Sequence, residues 1–303
     1  MPASERVPEV GLNPVDPRGS EAQRDAEAQR DTEALIHGEL TVKGRVQDAS
    51  NAVLYCESAH QGRTVACVYK PVAGARPLWD FPDGTLAQRE VAAYLVSEAT
   101  GWGLIPPTVL REGPYGEGMV QRWIDPLDEG AGDAEVADGG ADDRPGALLA
   151  LTEELEPAPG WKAVVEAELE EGRTALLVHA DDIRLRRIAV LDAVINNADR
   201  KGGHLLPAPD GRIYGIDHGV TFHTDDKLRT LLWGWAGEPL PGEAVTALGK
   251  LAAELDGALG ERLAVLLTAA ETLAVRVRVR RLLDSGVHPA PGGRWPSIPW
   301  PPV

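Results

Sequence analysis

Asn197-Ala198-Asp199-Arg200-Lys201-Gly202-Gly203-His204, followed by Gly215-Ile216-Asp217-His218-Gly219, is the stretch on which the reading of this chain turns. Asp199 and Asp217 stand eighteen positions apart. Between them, His204-Leu205-Leu206 and Arg212-Ile213-Tyr214-Gly215-Ile216 read as two short strands around the turn Pro207-Ala208-Pro209-Asp210-Gly211, because Pro and Gly supply the dihedrals a turn needs. Two acidic loops at the outer ends of one hairpin are expected to lie close in space. Upstream, Asp181 and Asp182 are candidate caps for a helix in which Ile183, Ile188, Leu191 and Ile195 recur at roughly helical spacing. That helix delivers the chain into the Asp199 loop. Asp192, Asn196 and Asn197 near its end read as capping residues or as hydrogen-bonding groups across the loop.

Outward to the N-terminal side, the pattern is that of a sheet. Leu40 to Val46, Ala52 to Cys56 and Thr64 to Tyr69 are short runs with β-branched residues, separated by polar turns, which predicts a meander. Lys70 follows the third run, and alternation places Ala66 and Val68 on its face. Thr85-Leu86-Ala87-Gln88 fits a capping box opening a helix that carries Glu90 and the apolar stripe Val91, Leu95, Val96 and Ala99, with Gly101 or Gly103 to close it. Two more strands are expected near Pro106 to Leu110 and Gly118 to Ile124. The predicted organisation is α+β. Residues 1–33 form a disordered polar arm, 34–126 a small β-rich lobe, 127–146 a flexible acidic insertion, and 147–303 a larger helical lobe. Further helices are expected near 242–258 and 260–284, ahead of an irregular Pro- and Trp-rich tail from His288.

Composition narrows the chemistry. The 303 residues carry a net charge of −17, which repels nucleic acid and anionic lipid surfaces, and no Lys/Arg cluster offsets it. No apolar run approaches a membrane span and the N-terminus lacks the order of a signal peptide, so a cytoplasmic protein is expected, without stable membrane association. Cys56 and Cys67, the only cysteines, read as core residues on strands. Lysine is scarce beside arginine, which makes Lys70 and Lys201 informative, since arginine cannot present a compact ammonium in their place.

The residue types fit phosphoryl transfer. That reaction needs one carboxylate to orient the acceptor hydroxyl, a second to hold a metal ion on the nucleotide phosphates, and cations against the developing charge. Asp199 suits the first role, Asp217 the second, and Lys201 steadies the transferring group. Lys70 would reach the phosphates with Glu90 as its partner. Gly44, Ser50 and Asn51, around the first hairpin turn, are candidates for covering phosphates through backbone amides and a hydroxyl, equally expected of any hairpin turn. The Trp233-Gly234-Trp235 cluster reads as core packing rather than a substrate platform.

Lys70, Glu90 and the two loops, continued by Val220-Thr221-Phe222, resemble the atypical kinases related to phosphatidylinositol 3- and 4-kinases and to the HipA-type kinases, most closely an actinobacterial phosphoinositide-kinase-like branch. The resemblance spans roughly Gly38 to Phe222. It implies a two-lobed protein-kinase-like fold with ATP and Mg²⁺, or Mn²⁺, between the lobes. It makes Lys70 the phosphate lysine, Asp199 the base and Asp217 the metal ligand, and it places Gln121 to Trp123 at the hinge that meets the adenine. His204 stands where the family has asparagine as a metal ligand, a departure, because Mg²⁺ prefers oxygen. The expected function is an ATP-dependent phosphotransferase acting on a hydroxyl of a protein or small molecule, a lipid being the weaker choice. The alternatives are a nucleotide-binding pseudokinase that regulates a partner, and, with less support, a metal-dependent phosphohydrolase or a nucleotidyl transferase.

Overall fold

Hydrophobic alternation along the third strand explains how the N-terminal half is layered. Strands β1 (Glu39–Arg45), β2 (Leu54–His60) and β3 (Arg63–Pro71) form the meander, and β4 (Thr108–Gly113) and β5 (Gly116–Arg122) complete an antiparallel sheet of order β1-β2-β3-β5-β4. The computed structural model describes residues 21–46, 52–76, 78–82, 85–125, 127, 148–168, 173–292 and 296–301. On β3, Val65, Cys67 and Tyr69 point to one face, where Cys56 and Val120 join them against Ala34 and Leu35 of helix α1 (Glu21–His37). Lys70 points to the other face, towards helix α2 (Leu86–Thr100), whose Ala87 and Val91 pack on Met119 of β5. Burial pushes the thiols of Cys56 and Cys67 up to about 11 and about 12, so both are inert core residues.

The C-terminal half is mostly helical: α3 (Ile183–Ile195), α4 (Gly242–Leu255), α5 (Ala258–Leu266) and α6 (Ala269–Ser285). Its core also takes in Ala92, Ala93, Leu95 and Val96 of α2, so α2 serves both halves. The caps follow the sequence. Thr85 and Gln88 make the reciprocal capping box of α2, Gly101 ends it in the left-handed conformation, and Asp182 caps α3 by accepting from Arg184 N–H at 2.7 Å. The short strands β9 (Leu205–Pro207) and β10 (Ile213–Gly215) pair as the expected hairpin.

Three expectations need correction. Residues 21–33 are helix rather than unstructured arm. They dock with few apolar groups, because Asp31 forms ion pairs with Arg63 and Arg122 and Ser58 Oγ donates to Ala34 O at 2.6 Å. The start of the helical half is an antiparallel sheet, β6 (Leu149–Thr152), β8 (Thr174–Ala180) and β7 (Trp161–Glu168), with β8 central and its Ala175, Leu176, Leu177 and Val178 buried. The single helix expected over 260–284 is two, α5 and α6, and Val275, Val279 and Leu282 face the core from α6 at helical spacing. The acidic insertion falls, apart from Leu127, outside the described residues.

Candidate active site

Strand β3 ends at the mouth of a cleft of about 510 Å³, and Lys70 is the side chain it delivers there. Lys70 Nζ lies 2.7 Å from Glu90 Oε1 and 2.8 Å from Asp217 Oδ1. The second Glu90 oxygen, Oε2, accepts the His218 backbone N–H at 2.9 Å, so one carboxylate on α2 holds both the lysine and the loop after β10. Asp199, Lys201 and His204 line the same cleft, with Lys201 Nζ 3.6 Å from Asp199 Oδ2 and His204 Nε2 3.5 Å from Asp217 Oδ2. The hairpin therefore brings Asp199 and Asp217 to one cavity.

Beneath these groups a buried cluster fixes the loops. Arg200 is wholly buried, and it grips Asp192 of α3 with two hydrogen bonds, Nη2 to Oδ1 at 2.9 Å and Nε to Oδ2 at 3.0 Å. Its Nη1 donates to His204 O at 3.2 Å and to Ile216 O at 3.1 Å, and its Nη2 lies 2.6 Å from His218 Nε2. One guanidinium thus ties the Asp199 loop to the Asp217 loop. Asn197 carries the contact further, donating to Asp192 Oδ1 at 2.9 Å and accepting the Asp199 N–H at 3.0 Å. Asn196 caps α3 with φ 54°, and its amide donates to His223 O and Asp225 O while its oxygen accepts the Lys227 N–H. Asp217 itself has φ 60°, a left-handed conformation that a non-glycine residue adopts where neighbours enforce it.

The carboxylates are driven apart in proton affinity. Lys70 beside Asp217 holds that carboxyl well below the usual range, outweighing partial burial, and His204 adds to the effect. The Asp217 side chain is 51% exposed to the cleft, so a neighbouring charge rather than desolvation sets its behaviour. Burial raises Asp199, opposed by Lys201 and His204 and reinforced by the Asp217 charge. Burial likewise raises Glu90 against the pull of Lys70. For Lys70 burial acts downwards, but Asp217 and Glu90 more than reverse it. The imidazoles of His204 and His218 are lowered by burial first, with Arg200 adding to the effect in both.

Other candidates lie elsewhere. Gln121 is buried and its amide donates to Thr108 Oγ1 at 2.8 Å, inside the sheet, because β5 is flanked by strands on both sides. The Trp123 indole N–H donates to Asp125 Oδ1 at 2.8 Å and its ring meets Tyr55 edge-on. Neither side chain is among those lining the cleft, and Gly44, in β1, is not among them either. Ala66 and Val68 are also absent from its wall. Ser50 and Asn51 lie outside the described residues. The wall is completed by the segment after β3, notably Val72, Arg76 and Leu78, and by Ala52 and Val53 before β2. No signal in the sequence marked Arg76 or Leu78. Trp233 and Trp235 are core residues, Trp235 fully buried with its indole donating to Asp181 Oδ1 at 2.8 Å.

Among the described residues no helix is long and apolar enough to cross a membrane. No protein-family model matches the chain. Distantly similar solved structures include two kinases. The Golgi casein kinase gives a TM-score of 0.44 at 13% identity, over 86% of this chain and 74% of that one. The Helicobacter pylori proinflammatory kinase CtkA gives 0.39 at 10% identity, over 84% and 94%. Among curated proteins, Protein Rv2133c of Mycobacterium tuberculosis is 52% identical over 269 residues, covering 88% of this chain and 93% of that protein. A similarity of that extent makes this chain a member of the Rv2133c family.

Proposed function

We propose that the chain is an atypical kinase that transfers the γ-phosphoryl group of ATP to a hydroxyl of a protein or small molecule. The observation that carries this reading is Lys70, held between Glu90 and Asp217 at 2.7 and 2.8 Å, in a cleft that also presents Asp199 and Lys201. An ammonium fixed by a buried helix carboxylate is placed to meet nucleotide phosphates, and Asp217, kept ionised, is placed to hold a divalent ion on them. Mg²⁺ or Mn²⁺ bound there would neutralise phosphate charge during transfer. Asp199 orients the acceptor hydroxyl and takes its proton as the new O–P bond forms and the bond from the γ-phosphorus to the bridging oxygen of ADP breaks. Lys201, beside it, offsets the charge that builds on the moving group.

The resemblance to phosphatidylinositol 3- and 4-kinases supports the reaction class more than a lipid acceptor. A net charge of −17 opposes approach to an anionic bilayer or a nucleic acid, and is in keeping with a cytoplasmic setting. The test uses γ-labelled and α-labelled ATP in parallel, with candidate acceptors and with the protein alone. Label transferred from the γ position only supports the proposal. Transfer from the α position indicates nucleotidyl transfer, and transfer from neither removes the enzymatic reading. One observation favours a second reading, a nucleotide-binding pseudokinase: His204 occupies the place where a second metal ligand is expected. Nucleotide binding without transfer, unchanged in His204→Asn, would select it.

A further inference from the structure

We propose that His204 presents its Nε2–H as a hydrogen-bond donor to the bound phosphates rather than acting as a metal ligand, so that this cleft works with a single divalent ion. The inference rests on the reading of the cleft as a nucleotide site.

A short 3-10 turn, Gly202–His204, folds the imidazole back over Lys201. The His204 backbone N–H donates to Lys201 O at 3.2 Å, and the Lys201 backbone N–H is directed at His204 Nδ1 at 3.5 Å. A ring nitrogen that faces an N–H is the one without a proton, so the neutral ring carries its proton on Nε2. That nitrogen faces Asp217 Oδ2 at 3.5 Å. Lys70 donates to Oδ1 of that carboxylate, while the Nε2 edge of His204 faces Oδ2 without closing to a hydrogen bond and stays open to a ligand in the cleft.

A metal-binding imidazole has the reverse arrangement. It coordinates through a lone pair while its other nitrogen donates N–H to a carboxylate or carbonyl, which fixes the tautomer. Ligation through Nε2 here would move the proton to Nδ1 and set it against the Lys201 N–H. Ligation through Nδ1 is blocked by the same backbone group. The donor set thus suits one ion and not two. Asp217 supplies oxygen, and among the described residues no group of three or more His, Cys, Asp or Glu is arranged to hold a metal by itself. An ion with one protein carboxylate and phosphate oxygens is the usual condition of Mg²⁺ on a nucleotide. The work a second ion performs in protein kinases, stabilising charge on the transferring group, passes to the Nε2–H of His204 together with Lys201.

The deciding measurement counts Mn²⁺ bound to the full-length protein with a non-hydrolysable ATP analogue, by calorimetry and pulsed electron paramagnetic resonance. One Mn²⁺ per nucleotide is expected in the wild type and in His204→Ala, with no coupling to a directly bonded imidazole nitrogen. Loss of one donor to developing charge should lower kcat in His204→Ala by about 10²-fold, and His204→Gln, which keeps a side-chain N–H, should recover part of it. Two ions per nucleotide falling to one in His204→Ala, loss of the single ion in that variant, a bonded-imidazole signal, or an unchanged kcat would each overturn the inference while leaving the nucleotide reading intact. Failure of the wild type to bind the Mn²⁺–nucleotide complex would remove both.

Discussion

Two clusters of opposite charge lie a few residues apart and behave as opposites. In Asp192–Arg200 both side chains are wholly buried and the pair is held bidentately, with the remaining guanidinium donors directed at His204 O, Ile216 O and His218. In Lys70–Glu90–Asp217, Glu90 is buried, Lys70 is 24% exposed and Asp217 opens onto the cleft with half its surface. A closed cluster in which every guanidinium donor has a partner stabilises a geometry and offers nothing to a ligand. An open one leaves a carboxylate oxygen and an ammonium free to exchange partners. Burial, more than charge, separates the residues that hold this site from those that act in it.

Substitutions should split along that line. The largest effect is expected from Asp192→Ala, which strands the Arg200 guanidinium in the interior. Breaking a buried pair from one side costs about 3–5 kcal/mol, so the midpoint of urea unfolding should drop sharply and the soluble yield with it. Asp199→Asn should leave folding and nucleotide binding in place while lowering kcat by about 10²–10⁴-fold, the range for loss of a positioned base. Intact stability with unchanged transfer would place the base elsewhere. Asp217→Ala removes a carboxylate that is half in water, so urea unfolding should hardly move. The variant should instead lose the thermal stabilisation by metal and ATP, which for a ligand at a hundred times its Kd is about 2.7 kcal/mol. A cluster difference of the opposite kind, with Asp217→Ala unfolding and Asp192→Ala binding poorly but folding well, would break the comparison.

The smallest effect is in the pH dependence of stability. Asp217 is depressed in the folded chain, so its contribution is fully present above its unfolded value near 3.8 and is lost only as pH falls through the much lower folded value. Asp199 is raised, so its contribution is present below 3.8 and is lost as pH rises through its folded value. Urea unfolding of Asp199→Asn against the wild type should therefore show the variant gaining relative stability across that rise. Asp217→Asn should show only a slight loss of relative stability at neutral pH, because the carboxylate is half in water, and should regain it in strong acid.

Much of the cleft was legible in the sequence because it rests on local rules. A strand lysine, a capped helix bearing Glu90, and two loops joined by a Pro- and Gly-marked turn each announce themselves within a few residues. Thr85 with Gln88, Gly101 and Asp182 took the roles their types imply. What escaped depends on distant partners. Helix α1 has almost no apolar stripe to read, and its docking uses Asp31 against arginines more than thirty residues away. The partner of the Gln121 amide, Thr108, follows from β5 lying between β3 and β4, a pairing that no local pattern announces. Arg200, the residue that joins the loops, looked like one more charge in a polar stretch. Its burial follows from Asp192 on the preceding helix, a contact that spacing suggests only weakly.

Helix α2 gives the site one more property. Beside Glu90, the buried Arg89 donates to Thr221 O at 2.7 Å and pairs with Glu271 of α6, and the next turns of α2 lie in the C-terminal core. The glutamate that positions Lys70 is thus placed by the far half of the molecule. The sheet and the helical half share an axle rather than a hinge, so a fragment ending before residue 148 would lack the surface on which α2 closes. Unfolding should run as one cooperative event, and the cleft should exist wherever the whole chain is folded.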